Sequence, residues 1–296
     1  MKRKLITKLQ GGLGNQMFQY AVARSLQPID EIVYMDHEFL ELGESTETFI
    51  SRKYELGIFK NLKARRATSR EIKFFTGTSV YHKILKSFYK PLYVRQKNNE
   101  YISFKELPAT KYMYLEGYFQ SEKYFKRIRN PILEDFEFPP LDDLNAEIKK
   151  QIDRAENPVS IHIRRTDYLQ PFFARIHNSL PLGYHNKALN ILKAEYADLT
   201  AFVFSDDIEW VKENFKHPGL DMRFIAHNQA ADNWKDMALM SFCKHHIVAN
   251  SSFSWWGAWL SKKDGKKFAP DKWFNTDNVI FNIHDFVPDS WKIINL

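Results

Sequence analysis

From residue 157 onward the chain alternates between short apolar runs and segments with helical spacing. The runs fall at 159–163, 201–204, 222–226 and 246–249, and the helical segments at 184–196, 208–215, 232–243 and 252–260. Strands buried on both faces read as unbroken apolar runs, and such runs separated by helices fold as a doubly wound parallel sheet. The start of the chain repeats the unit. Residues 4–9 alternate as a strand, Gln10-Gly11-Gly12-Leu13-Gly14 turns, 15–26 has helical spacing, and 31–36 reads as a second strand after Pro28. That is a βαβ unit. From 39 to 118 aromatic and basic residues mix in helical pieces without a clear rhythm.

A chain of 296 residues suits two packed α/β domains. Asn157-Pro158 marks the expected boundary, giving domains 1–156 and 157–296. The single Cys243 offers no disulfide, so a reducing cytoplasm is the expected compartment. The apolar stretch after the opening MKRK is too short for a signal-peptide core or a membrane span.

A net charge of +7 suits an anionic partner: nucleic acid, lipid headgroups or a phosphorylated small substrate. Lys63, Arg65, Arg66, Arg70, Lys73, Lys83 and Lys86 concentrate it in residues 60–90 among aromatics. That segment is either a solvated basic surface or a peripheral contact with an anionic membrane on its inner face. Nucleic-acid modules interleave exposed aromatics with basic residues on a small sheet. Here the aromatics gather in long apolar segments, so no nucleic acid is expected.

In open parallel sheets ligands bind beyond the carboxyl ends of the strands. Three exits carry polar sets: His162-Ile163-Arg164-Arg165-Thr166-Asp167, Ser205-Asp206-Asp207 and Asn250-Ser251-Ser252. Alternation puts His162 and Arg164 on one side and Ile161, Ile163 and Arg165 on the other. A guanidinium fork suits phosphate oxygens, which makes Arg164 the candidate for a leaving pyrophosphate and Arg165 for a structural pair with Asp167. A surface ion-pair cluster is the plainer alternative. Ser251 and Ser252 open a helix, where a hydroxyl caps and free amides hold an anion. Asp206 and Asp207 are caps, or acceptors for ribose hydroxyls and guanine N–H groups.

Trp255-Trp256-Gly257-Ala258-Trp259 is helix core or a sugar-stacking platform. His245-His246 would point apart on a strand, so no zinc site is expected. The chain contains no Asp-x-Asp. A metal-bridged diphosphate is therefore not expected, with Arg164 and helix amides neutralising it instead.

LQGGLGNQMFQYAVARSL (9–26), HIRRTDY (162–168), FSDD (204–207) and NSSFSWWGAWL (250–260) together resemble the bacterial and animal α-1,2-fucosyltransferases of glycosyltransferase family 11. The HxRRxD segment is similar to that of α-1,6- and protein O-fucosyltransferases. The resemblance implies an α/β, GT-B-like fold, with two Rossmann-like domains facing across a cleft. It implies GDP-fucose as donor, no cofactor or metal, inversion, and a β-galactoside-terminated surface glycan such as lipopolysaccharide as acceptor. Carried over position by position, Arg164 binds the diphosphate and His162 and Asp207 lie near the guanine. Ser251, Ser252 and Phe253 line the phosphate end, and Arg165, Ser205, Asp206 and Asn250 count among the residues expected to bind the nucleotide sugar. Gly14 and Asn15 become cleft residues. The α-1,6 relatives carry a catalytic Glu shortly after this motif, where this chain reads Leu169-Gln170-Pro171-Phe172-Phe173. The acceptor base therefore does not transfer, and Asp167, His177 and Asp36 are its candidates here.

The rival reading is an NAD(P)-dependent oxidoreductase. Gly12 and Gly14 follow a strand, open a helix and precede Asp36 by about the ribose-binding distance. The third fingerprint position, which wants Gly or Ala, is Met17.

Overall fold

The computed structural model describes the chain apart from residues 1–3, 44, 46–50, 109, 178, 276, 278 and 280 and the side chain of Asp167. It divides into two compact units, Met1–Pro139 and Pro140–Leu296.

The first unit runs β1 (Lys4–Lys8), α1 (Leu13–Ser25), β2 (Val33–Asp36), β3 (Ala64–Arg66), α2 (Ser69–Thr76), α3 (Val80–Tyr89), β4 (Leu92–Arg95), β5 (Tyr112–Glu116) and α4 (Arg129–Asp135). Its sheet has the order β3-β2-β1-β5-β4, with every pairing parallel. The expected βαβ opening is present. Every residue of α1 is buried except Asn15. A helix so enclosed must satisfy its polar side chains internally. Arg24 Nε lies 2.9 Å from Asp135 Oδ2, and the Tyr20 hydroxyl donates to the same oxygen at 2.7 Å.

The second unit runs α5 (Asp143–Arg154), β6 (Asn157–Ile163), α6 (Leu182–Glu195), β7 (Leu199–Ser205), α7 (Ile208–Asn214), β8 (Asp221–Ile225), α8 (Trp234–Phe242), β9 (His245–Ile247), α9 (Ser252–Leu260), β10 (Lys267–Pro270), α10 (Ile283–Phe286) and β11 (Lys292–Ile294). The sheet order is β11-β10-β9-β6-β7-β8, again all parallel. Val159, Ile161 and Ile163 of β6 pack with α6 and α7 on one face. Phe202 and Phe204 of β7 pack with Ile148 and Ile152 of α5 and Leu239 and Met240 of α8 on the other. Strand alternation thus separates the two helical layers.

The division falls after Pro139, ahead of the expected boundary at 156/157. The apolar stripe of α5, Ile148 and Ile152, joins the core of the second unit. Asn145 seals the contact by exchanging amide hydrogen bonds with Asn228 beyond β8, both at 2.9 Å. The Trp run is core: Trp255, Trp256 and Trp259 are buried, Trp255 Nε1 donates to Phe286 O at 2.8 Å, and Gly257 lets α9 lie against Met240 of α8.

Candidate active site

In the second unit the chain moves outward from β6 through β7 to β8, then returns to the other side of β6 for β9. The switch point therefore lies between β6 and β9, where a doubly wound sheet opens a crevice at its carboxyl edge. Arg164 leaves β6 there, and Asn250, Ser251 and Ser252 leave β9. Tyr168 ties the two exits together, its hydroxyl donating to Asn250 O at 2.9 Å. Its ring stacks on His177 at 4.6 Å and stands 5.9 Å from the Arg164 guanidinium carbon.

The two arginines part as alternation requires. Arg164 Nη1 lies 3.1 Å from Asp206 Oδ2, with about a quarter of its side chain exposed. Arg165 turns the other way: its guanidinium carbon sits 3.3 Å from the ring centroid of Trp210 in α7, and Nε is 3.1 Å from Asp207 Oδ2. Asp207 is a partner of Arg165 because β7 is the hydrogen-bonded neighbour of β6 and delivers Asp207 beside the exit. The Asp167 side chain lies outside the described residues.

Asp206 organises the turn. It accepts from the amides of Arg165 at 2.9 Å and Thr166 at 3.1 Å and from the Thr166 hydroxyl. Burial alone would raise its carboxyl, but Arg164, the Thr166 hydroxyl and the Arg165 amide together hold it below its ordinary value. Ser205 Oγ accepts from the Asp207 amide at 3.0 Å. Ser205, Asp206 and Asp207 thus form the frame that aims the arginines.

His162 is enclosed, with its ring 5.9 Å from Phe253. Burial first, then Arg164, pushes it down to about 3, so the imidazole is neutral at physiological pH. Ser251 caps α9, accepting from the Phe253 amide at 3.3 Å. Ser254 Oγ accepts from the Ala249 amide at 3.2 Å, which fastens the β9 exit onto the helix start.

The first unit repeats the design. Its switch point lies between β1 and β5, and there Gln120 Nε2 donates to Asn15 Oδ1 at 2.6 Å. Gly11 holds a positive φ of 76°, and a Cβ on it would come within 2.4 Å of Asn15 Nδ2, so only glycine serves. Gln16 clamps the loop, donating to Gly11 O and Lys53 O at 2.8 Å and accepting from the Glu55 amide at 3.0 Å. Gln19 braces Gln10 by two further bonds. Gly12 supplies no side-chain cap to α1. Glu55 takes that role by accepting from the Leu13 amide, and burial raises its carboxyl above the usual range.

That arrangement removes the dinucleotide reading. The helix start that a pyrophosphate would need holds the Glu55 carboxylate. Asp36 is buried, accepting from the Tyr114 hydroxyl at 2.5 Å and the Glu38 amide at 2.8 Å, so no ribose and no acceptor proton reaches it.

The model of Glycosyl transferase family 11 matches residues 1–294. The chain belongs to this family. Among family relatives, the alpha-1,2-colitosyltransferase of Escherichia coli is 34% identical over 307 residues, covering 97% of each chain. The O-antigen biosynthesis glycosyltransferase WbnK of Escherichia coli is 32% identical over 318 residues, covering 97% of this chain and 99% of that one. Among solved structures, a mutant of Arabidopsis thaliana FUT1 in complex with GDP superposes with a TM-score of 0.52 at 11% identity. The match covers 99% of this chain and 76% of that one. The fold is accordingly the expected α/β, GT-B-like class with two Rossmann-like units.

For a family 11 glycosyltransferase the residues fall into two groups. Of the residues marked in the sequence, Arg164, Asp206, Asp207, Ser251 and Ser252 come together at the carboxyl edge of the second sheet, and Asn15 stands at that of the first. Tyr168, Trp210, Gln120 and Glu55, which no local pattern marks, join them through contacts with residues far away in the chain. His245 and His246 are core residues: His246 Nδ1 lies 2.8 Å from Ser160 Oγ, and His245 Nδ1 accepts from the Lys266 amide at 3.0 Å. Among the described residues no group of three or more His, Cys, Asp and Glu side chains could hold a metal ion, and no helix is long and apolar enough to cross a membrane.

Proposed function

We propose that this family 11 enzyme transfers fucose from GDP-fucose to the 2-hydroxyl of a β-galactoside in a surface glycan, with inversion and without a metal. The observation that carries the reading is the place of Arg164, forked and part exposed at the β6/β9 switch point beside the capped start of α9. A fixed guanidinium and free helix amides complement a diphosphate whose charge grows as the glycosidic bond breaks. Ser251, Ser252 and Phe253 line the phosphate end, and Asn250 holds that turn. Asp207 and the neutral His162 belong to the guanine side. Asn15 acts on the sugar rather than on the nucleotide.

Departure of GDP leaves an oxocarbenium-like sugar, and the attacking 2-hydroxyl must lose its proton. Glu55 suits that step: its carboxylate accepts from the Leu13 amide beside the Gly11–Asn15 loop and is made more basic by burial. The expected compartment is the cytoplasm, which the single buried thiol of Cys243 suits.

A second donor has its own support. The colitosyltransferase relative points to colitose, which is fucose without its 3-hydroxyl. The test is GDP release from GDP-fucose and GDP-colitose against a panel of β-galactosides, with the product linkage read by NMR. Turnover of GDP-fucose to an α-1,2 product supports the reading, turnover of GDP-colitose alone replaces the donor, and release with neither overturns both.

A further inference from the structure

Helix α3 buries none of its ten residues. Val80, Tyr81, Ile84 and Phe88 are 73%, 66%, 52% and 80% exposed. At about 100° per residue the four fall within one arc of roughly 100°, the geometry of an apolar stripe that faces a nonaqueous phase. The opposite side holds the helix to the protein. The Tyr89 ring meets Phe74 at 5.9 Å and Tyr112 at 5.5 Å edge-on, and Lys86 Nζ donates to Gly77 O at 2.8 Å. Both ends are locally closed, by the Ser79 hydroxyl at the start and by Lys90 in the left-handed conformation at the finish. Among the described residues nothing covers the stripe.

Its surroundings are cationic. Residues 60–90 hold nine Lys and Arg against a single acid, Glu71. That carboxylate is already shared by Lys4 and Arg65, each at 2.7 Å. Lys83 and Lys90 border the stripe on one flank and are exposed. Pairing this face with itself in a second copy would set like charges against one another. An anionic bilayer matches both features, taking apolar side chains into the acyl boundary and lysines onto its headgroups.

We propose that α3 lies in the plane of an anionic membrane surface, with Val80, Tyr81, Ile84 and Phe88 in the boundary region and Lys83 and Lys90 on the headgroups. The proposal is independent of the donor and acceptor assigned above. It is tested by co-sedimentation of the full chain with vesicles of pure phosphatidylcholine and of an equal phosphatidylcholine–phosphatidylglycerol mixture.

The expected result is binding to the anionic vesicles that weakens with added salt, with little binding to the neutral ones. Joint replacement Ile84→Ser and Phe88→Ser should lower the affinity about tenfold or more, since two large apolar side chains leave the boundary. Lys83→Glu with Lys90→Glu should remove the preference for anionic lipid. Both variants should keep the thermal midpoint of the parent, because the replaced side chains are exposed. Equal weak binding to both vesicles, or apolar variants that bind like the parent, would overturn the proposal. So would a dimer in solution that the Ile84→Ser, Phe88→Ser variant converts to monomer, since the stripe would then be covered by a second copy.

Discussion

Arg164 and Asp206 meet across the exits of two adjacent strands, Nη1 to Oδ2 at 3.1 Å, and the same carboxylate accepts the backbone amide of Arg165 at 2.9 Å. One acid thus fixes both the turn and the arginine that leaves it. Arg165 goes to the opposite face, flat on Trp210 and paired with Asp207. Two neighbouring residues of the same type are committed to different work, one toward the crevice and one toward the core. Preorganisation of this kind lets a donor act without reorganising as charge develops.

If Arg164 and the α9 amides neutralise the leaving diphosphate, transfer should proceed in excess EDTA at the rate seen without it. Loss of activity on chelation, with recovery on adding magnesium or manganese, would contradict that assignment.

Asn15 is the one residue of α1 that is not buried, and its side chain bridges to Gln120 at the switch point of the first unit. Asn15→Ala should lower kcat roughly tenfold or more, as the loss of a positioned polar group does, while GDP affinity by titration calorimetry stays near the parent value. Unchanged turnover would remove the loop from the chemistry.

Glu55→Gln separates capping from proton transfer, because the amide oxygen still accepts from Leu13 while its basicity is lost. The thermal midpoint should hold, kcat should fall about 10²-fold as for a missing general base, and the acidic limb of the pH–rate profile should disappear. An active Glu55→Gln enzyme would leave Glu55 a helix cap only.

Asp236 is pushed up to about 7 by its burial, against the lowering effect of the Asn228 hydrogen bond at 2.7 Å. The fold holds this proton more tightly than the unfolded chain does. Its contribution is therefore full below the ordinary value of 3.8 and is lost as pH rises through about 7. Between about pH 5 and pH 8 the loss is roughly 2–3 kcal/mol. Asp236→Asn keeps the hydrogen bond and should remove this fall, so its melting temperature should exceed the parent's at pH 8. A parent and variant with parallel pH dependence would contradict the assignment.

The parallel sheet of the second unit was legible because its central strands are buried on both faces and therefore read as apolar runs. β6 and β7 are such strands. The first unit was opaque between residues 39 and 118 for the opposite reason: β3 is Ala64-Arg65-Arg66 with two exposed arginines, and β4 buries only Val94. Edge strands that short carry no period. Alternation correctly divided Arg164 from Arg165, since it depends on backbone geometry alone. Partners were not legible. Asp207 beside Arg165, the indole of Trp210 under Arg165, Glu55 at the start of α1 and Asn145 with Asn228 all join residues far apart in sequence, which no local pattern records.

The sharpest test of the account is the pair Arg164→Lys and Arg165→Lys, each measured for kcat and thermal midpoint with GDP-fucose and a β-galactoside. Lysine keeps the charge and loses the fork. Arg164→Lys should melt with the parent yet lose about 10²-fold or more in rate, the range for a preorganised donor to developing charge. Arg165→Lys should retain most of its turnover and melt lower, because Asp207 and the Trp210 face lose a fitted partner in a partly buried setting. A stable, inactive Arg165→Lys beside an unstable, active Arg164→Lys would contradict the assignment and take Arg164 out of the diphosphate site.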